Sequence, residues 1–155
     1  TVRITAKNGA AGIYASGGTV DSKSGANLYL TSEAGKGLAA YASGGGTINL
    51  TGATINVTNS AAGVASSDPG SMVNLTNANM LYDGNGYAVY STNGGKVNLS
   101  GTKLILKGSS TAFDVDLTPS ATLPITLDFN EPAALTLVFP FGSTFLSVTG
   151  FNRLL

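Results

Sequence analysis

The sequence predicts an all-β chain folded as a three-sided parallel β-helix, a solenoid of about 25 residues per coil, and three observations carry that expectation. The first is a repeat. Thr47-Ile48-Asn49-Leu50-Thr51-Gly52 returns as Met72-Val73-Asn74-Leu75-Thr76-Asn77 and again as Lys96-Val97-Asn98-Leu99-Ser100-Gly101, at offsets of 25 and 24 residues. A looser copy, Thr19-Val20-Asp21-Ser22, lies upstream. The second is strict alternation of apolar and polar residues inside each copy. The third is glycine or asparagine at the joints between copies. A repeat of this length is a unit that cannot bury its apolar face alone, so copies must stack.

Each element of the coil follows from local pattern. In Thr47–Thr51, Ile48 and Leu50 alternate with polar neighbours, and in Thr54–Thr58, Ile55 and Val57 do the same. Lys96–Ser100 and Lys103–Lys107 keep the beat through Val97, Leu99, Leu104 and Leu106. Period-2 alternation over four to six residues marks a half-buried strand. A further short strand precedes each glycine joint, at Ile13–Ser16, Leu38–Ser43, Val64–Ser66 and Tyr87–Ser91. Joints at Gly52-Ala53, Gly101-Thr102, Gly44-Gly45-Gly46 and Asn93-Gly94-Gly95 supply residues for which positive φ is cheap. An amphipathic helix does not fit, because no apolar spacing of three and four residues persists.

Composition narrows the function. Eight basic and eight acidic residues cancel in a chain only 10% charged. With no basic patch to neutralise phosphates, nucleic acid is excluded as a partner. His, Cys and Trp are absent. That removes disulfides, thiolate or imidazole metal sites and the usual triads, so no enzyme activity, cofactor or metal is expected. The longest apolar stretch, Leu135–Phe141, is interrupted by Thr136 and Pro140 and is too short to span a bilayer. The chain opens at Thr1 rather than at an initiator Met, which reads as an excised part of something longer.

A compositional boundary falls near residue 110, dividing repeats over 1–110 from a tail over 111–155. All six Tyr precede position 91 and all six Phe follow position 112, and four of five Pro lie in the tail. Alternation persists there, so the tail is expected to be an irregular β coil, or a cap or docking surface that covers the solenoid end.

Few constellations could carry chemistry. Among the acids only Asp114 and Asp116 form a close pair, readable as a solvated strand face or as a calcium or catalytic pair. Gly35-Lys36-Gly37 and Gly84-Asn85-Gly86 lack the remainder of a phosphate loop and read as corners. Asn49, Asn74 and Asn98 share one outward register position and open Asn-x-Ser/Thr triplets. They fit an amide ladder that stabilises stacked strands, a binding surface, or glycan acceptors. Tyr14, Tyr41 and Tyr90 form a second outward column, interrupted by Ala65. Such a stripe either covers the small residues of the corner or stacks on sugar rings or a protein partner. An ice-binding surface of outward Thr47, Thr51, Thr54 and Thr58 is broken by Asn79, Lys96, Ser100 and Lys103.

In style, Gly-Ile-Tyr-Ala-Ser-Gly-Gly-Thr-Val, Gly-Gly-Gly-Thr-Ile-Asn-Leu-Thr-Gly and Gly-Gly-Lys-Val-Asn-Leu-Ser-Gly resemble the passenger repeats of type V autotransporters, especially large fusobacterial-type surface adhesins. The resemblance covers roughly residues 1–110, and the Phe/Pro-rich tail departs from it. It implies a right-handed helix exported by a Gram-negative bacterium, secreted or displayed at the outer membrane. It also implies adhesion or aggregation through a host-cell or bacterial surface receptor, protein or glycan, with self-association possible. Membrane attachment would come only through a C-terminal barrel outside this chain. A carbohydrate-active β-helix enzyme and a passive spacer are the alternatives.

Overall fold

The computed structural model describes residues 1–22, 28–33 and 37–107, together with strands over 111–116, 125–128, 136–138 and 144–149. Among these residues every regular element is a strand. The first coil runs β1 (Val2–Lys7), β2 (Ala11–Ser16) and β3 (Thr19–Asp21), and the second β4 (Leu28–Glu33), β5 (Leu38–Ser43) and β6 (Thr47–Thr51). The third is β7 (Thr54–Thr58), β8 (Ala62–Ser67) and β9 (Met72–Thr76), and the fourth β10 (Asn79–Asp83), β11 (Tyr87–Thr92) and β12 (Lys96–Ser100). Then follow β13 (Lys103–Lys107), β14 (Thr111–Asp116), β15 (Ile125–Asp128), β16 (Thr136–Val138) and β17 (Thr144–Thr149).

Every third strand pairs in parallel, which makes the chain a β-solenoid with three walls. Sheet A is β1-β4-β7-β10-β13-β16, sheet B is β2-β5-β8-β11-β14-β17 and sheet C is β3-β6-β9-β12-β15. The strands of sheet B begin earlier than alternation alone indicates, at Ala11 and Ala62 rather than Ile13 and Val64, because their first two residues are small and break the period. Beyond residue 110 the strands extend the same walls, with β14, β15, β16 and β17 each in parallel register with its predecessor. The step widens there, since Lys103 pairs with Thr136, 33 residues on, against 24 from Asn79 to Lys103. The segments that would cap the end, most of Leu135–Phe141, and Gly35-Lys36 lie outside the described residues.

The core is a set of side-chain columns. Leu50, Leu75 and Leu99 are in direct register and buried, as are Ile48, Val73 and Val97 beside them. Leu30, Ile55, Met80 and Leu104 form the facing column of sheet A. Tyr82 is wholly buried, and its hydroxyl donates to the Ser60 carbonyl. Burial raises its pKa above the usual tyrosine value. The Ser32 and Ser60 hydroxyls meet at 2.9 Å beside it. Among the described residues no buried side-chain polar atom lacks a partner, as a low-dielectric interior demands.

The corners repeat too. Left-handed φ values between 50° and 77° occur at Asn8 and Asn59 after sheet A, at Gly44, Asp68 and Asn93 after sheet B, and at Gly52, Asn77 and Gly101 after sheet C. Glycine, Asn and Asp tolerate this region best. The sheet B corners close with the same turn bond: Gly46 N–H to Ser43 O at 2.8 Å, Ser71 to Asp68 at 3.1 Å and Gly95 to Thr92 at 2.9 Å. Gly95 is held to glycine by close approach, since a Cβ there would lie 2.5 Å from the Ser66 carbonyl.

Leu75 sits mid-column with a leucine above and below, so its truncation leaves an internal void. Leu75→Ala is expected to cost about 2–5 kcal/mol in urea unfolding, and Leu75→Asp is expected to prevent folding by circular dichroism. A Leu75→Asp protein that melts with the parent would show that the register is wrong.

Candidate functional site

Among the described residues the outer face of sheet B holds the densest aromatic cluster, and a local break in the alternation of its strands creates it. In β2, β5, β8 and β11 the second residue is small: Gly12, Ala39, Gly63 and Ala88. A Cβ on Gly63 would lie 2.6 Å from the Ala88 carbonyl oxygen, and one on Gly12 would lie 2.7 Å from that of Ala39. The ladder pairs the first residue and resumes at the third, skipping the second. In β11 the second and third residues, Ala88 and Val89, are both buried. The outward positions are therefore the first and the fourth, three residues apart instead of two.

Two outward columns result. The first positions run Ala11, Leu38, Ala62, Tyr87, and the fourth run Tyr14, Tyr41, Ala65, Tyr90. The third coil is thus alanine at both. Ala62 and Ala65 form the floor of a groove of about 370 Å³, with Leu38 and Tyr41 on one side and Tyr87 and Tyr90 on the other. Ser67 and Thr92 stand at one end, and the lining is chiefly apolar. Ala65 is only 1% exposed, sheltered by its neighbours, while Tyr87 is 37% exposed.

The aromatic walls are ordered. Tyr14 and Tyr41 stack across adjacent coils at 5.5 Å between centroids and 23° between planes. Tyr87 and Tyr90 stack within one strand at 5.8 Å and 21°. The Tyr14 phenol is tied to the Ser43 hydroxyl at 2.8 Å. Hydrogen bonds with Ser43 and then Ser16 lower its pKa from the usual tyrosine value. Of the three tyrosines expected from sequence, Tyr41 and Tyr90 therefore line the groove, and Tyr14 backs Tyr41 from behind. Tyr87 escapes a strict period-2 reading, because only that break brings it onto the face of Tyr90. The small residue recurring at the second position was the available signal.

The asparagine column belongs to another wall, sheet C. Asn98 Nδ2 donates to Asn74 Oδ1 at 2.6 Å, and Asn74 Nδ2 donates to Asn49 Oδ1 at 2.6 Å. Asn49 Nδ2 in turn donates to Asp21 Oδ1. Asn98 Nδ2 also meets Met72 Sδ at 3.3 Å. The ladder runs from Asn98 to Asp21 along sheet C and does not converge with the tyrosines. Asn56, in the remaining Asn-x-Thr triplet, is exposed on sheet A.

Two of the acids, Asp21 and Asp68, are committed to structure as well. Asp68, at the sheet B corner, accepts the Gly44 N–H at 3.1 Å from the preceding coil and Asn93 Nδ2 at 2.8 Å from the following one. The Ser67 hydroxyl adds a bond at 3.2 Å. The Gly44 bond, then the Asn93 bond, hold its carboxyl below the usual aspartate value. Asp83 closes β10. Asp114 is in backbone register with Tyr90, but the carboxylates of Asp114 and Asp116 lie outside the described residues. Among the described residues, no three His, Cys, Asp or Glu side chains group together.

Fold and site together define a parallel β-solenoid with an aromatic-walled groove on one face. In comparisons with known proteins, no family model, no curated protein and no solved structure matches the chain.

Two substitutions test these assignments. Asn74→Ala removes both amide–amide bonds at mid-ladder and is expected to cost about 1–3 kcal/mol without changing the circular dichroism spectrum. Because the Asp68 pKa is depressed on folding, its contribution is present above the unfolded aspartate value and is lost as pH falls through the folded one. The melting temperatures of wild type and Asp68→Asn are therefore expected to differ at neutral pH and to converge under acid titration below about pH 4. A gap that persists into strong acid would refute the carboxylate staple.

Proposed function

We propose that this solenoid is a non-catalytic binding module of a secreted or surface-displayed adhesin, and that it contacts its receptor through the tyrosine-walled groove of sheet B. The observation that carries this reading is the double alanine of the third coil, Ala62 and Ala65, set between Leu38 and Tyr41 on one side and Tyr87 and Tyr90 on the other. Aromatic anchors around a small-residue floor concentrate binding energy that polar ladders do not supply. The walls elsewhere are rich in Thr, Asn and Ser, and a chain 10% charged with no net charge suits close approach to another surface without strong selectivity for charge.

The repeat style, similar to that of autotransporter passengers, supports export to a Gram-negative cell surface and a host-cell or bacterial receptor. Asp21 and Asp68 are held in structural hydrogen bonds, which favours adhesion over acid–base catalysis. The test is adhesion to cells by purified protein. A Tyr41→Ala/Tyr87→Ala/Tyr90→Ala variant is expected to fold, by circular dichroism, and to bind at least about tenfold more weakly. Asn74→Ser, on another wall, is expected to keep its adhesion. A folded triple variant that adheres like wild type would rule the groove out.

A further inference from the structure

We infer that the groove is a slot for one neutral pyranose ring of a surface glycan, an assignment that rests on the binding-module reading above. The register sets its size. Tyr14, Tyr41, Ala65 and Tyr90 occupy one column on four successive coils. Where tyrosines fall on adjacent coils, the rings stack at 5.5 Å, close to the strand spacing of roughly 4.8 Å. One coil of rise therefore holds one ring. Ala65 removes a ring from the column and leaves roughly 9.6 Å, two strand spacings, between the positions of Tyr41 and Tyr90. Ala65 itself is only 1% exposed, so a single sugar ring seats against the flanking tyrosines above that floor rather than on the alanine.

The walls are prepared for that guest. Tyr14 covers one face of Tyr41 and is itself fixed by its bond to Ser43. The other face of Tyr41 is turned toward the slot. A pyranose offers a face of C–H bonds, slightly positive, that complements the negative face of an aromatic ring. Its hydroxyls project from the ring edge, where Ser67 and Thr92 stand.

Charge and topology exclude charged guests and an added strand. The groove lining contains no Asp, Glu, Lys or Arg, so nothing there pairs a sialic acid carboxylate, a sulfate or a cationic group. The floor is the face of a sheet whose backbone is laddered to the coils on both sides. It presents no free edge to which an extended peptide could add as a strand.

Ala65→Tyr tests the slot by restoring the missing ring, since the stacked pair of Tyr14 and Tyr41 demonstrates that adjacent coils accommodate neighbouring rings. The probe is a panel of immobilised neutral oligosaccharides with sialylated and sulfated counterparts, read for wild type, Ala65→Tyr and Tyr41→Ala. Circular dichroism monitors folding. Wild type is expected to bind one or more neutral glycans, with binding at least about tenfold weaker in each folded variant. Should Ala65→Tyr fail to fold, Tyr41→Ala alone decides, because its side chain lies at the surface. Wild-type binding confined to charged glycans, absence of binding to the panel, or full binding by a folded variant would each overturn the slot. Cell adhesion measured in parallel separates the two readings. Adhesion that survives Ala65→Tyr but is lost in the triple tyrosine variant keeps the groove as an adhesive site and rejects only the sugar. Adhesion unaffected by either rejects both.

Discussion

Parallel pairing at a fixed strand spacing makes each coil the template for the next, and most features of the molecule descend from that superposition. A leucine at one register position meets leucines above and below it, as Leu75 does between Leu50 and Leu99. An asparagine meets asparagines, and a tyrosine meets a tyrosine. Backbone hydrogen bonds within the sheets run between coils and not within one, so no coil is stable alone and each contributes an interface. The same rule makes departures conspicuous. A single alanine in a column of large residues is an opening whose dimensions the lattice has already set.

The corners reconcile this regularity with the need to turn. At most of the described corners a residue of left-handed φ redirects the chain, while Gly84-Asn85-Gly86 turns without one, and several of the polar groups left over are joined between coils. Asp68 is the fullest case, linking Gly44, its own turn and Asn93 across three coils. The buried serines contribute too, Ser71 Oγ accepting the Gly45 N–H from the neighbouring coil and Ser91 Oγ donating to the Gly95 carbonyl within its own corner. Against walls rich in Thr, Asn and Ser, the groove on sheet B stands apart for its apolar character.

Much of this was legible in the residues. The Asn49 and Leu50 columns follow from period-2 alternation combined with a 24- or 25-residue offset, because both are set by backbone geometry. Gly52, Asn77 and Gly101 are recognisable as one corner, since their shared property is tolerance of positive φ. The tyrosine column was readable in register, including its gap at Ala65. What the pattern did not convey is that a gap bounded by rings becomes the floor of a groove, which depends on the neighbours across coils. Tyr87 was hidden by a local break of period that arises from backbone crowding at Gly63 and Ala88. Tyr82 is interior despite its hydroxyl, because the partner that satisfies it, the Ser60 carbonyl, lies 22 residues away.

The amide column has a direction, and direction bears on how such a chain can lengthen. Every asparagine hands its N–H to the coil before it, and the series stops at Asp21, whose ionised carboxylate accepts but has nothing to pass on. Tandem duplication of a coil bearing Asn49, Asn74 or Asn98 would splice into the series without a seam, each new amide receiving on one side and giving on the other. A duplicated Asp21 coil placed within the series would set a carboxylate oxygen against an amide oxygen and interrupt it. The grammar of the repeat thus separates copies that can multiply from one that can only begin a run.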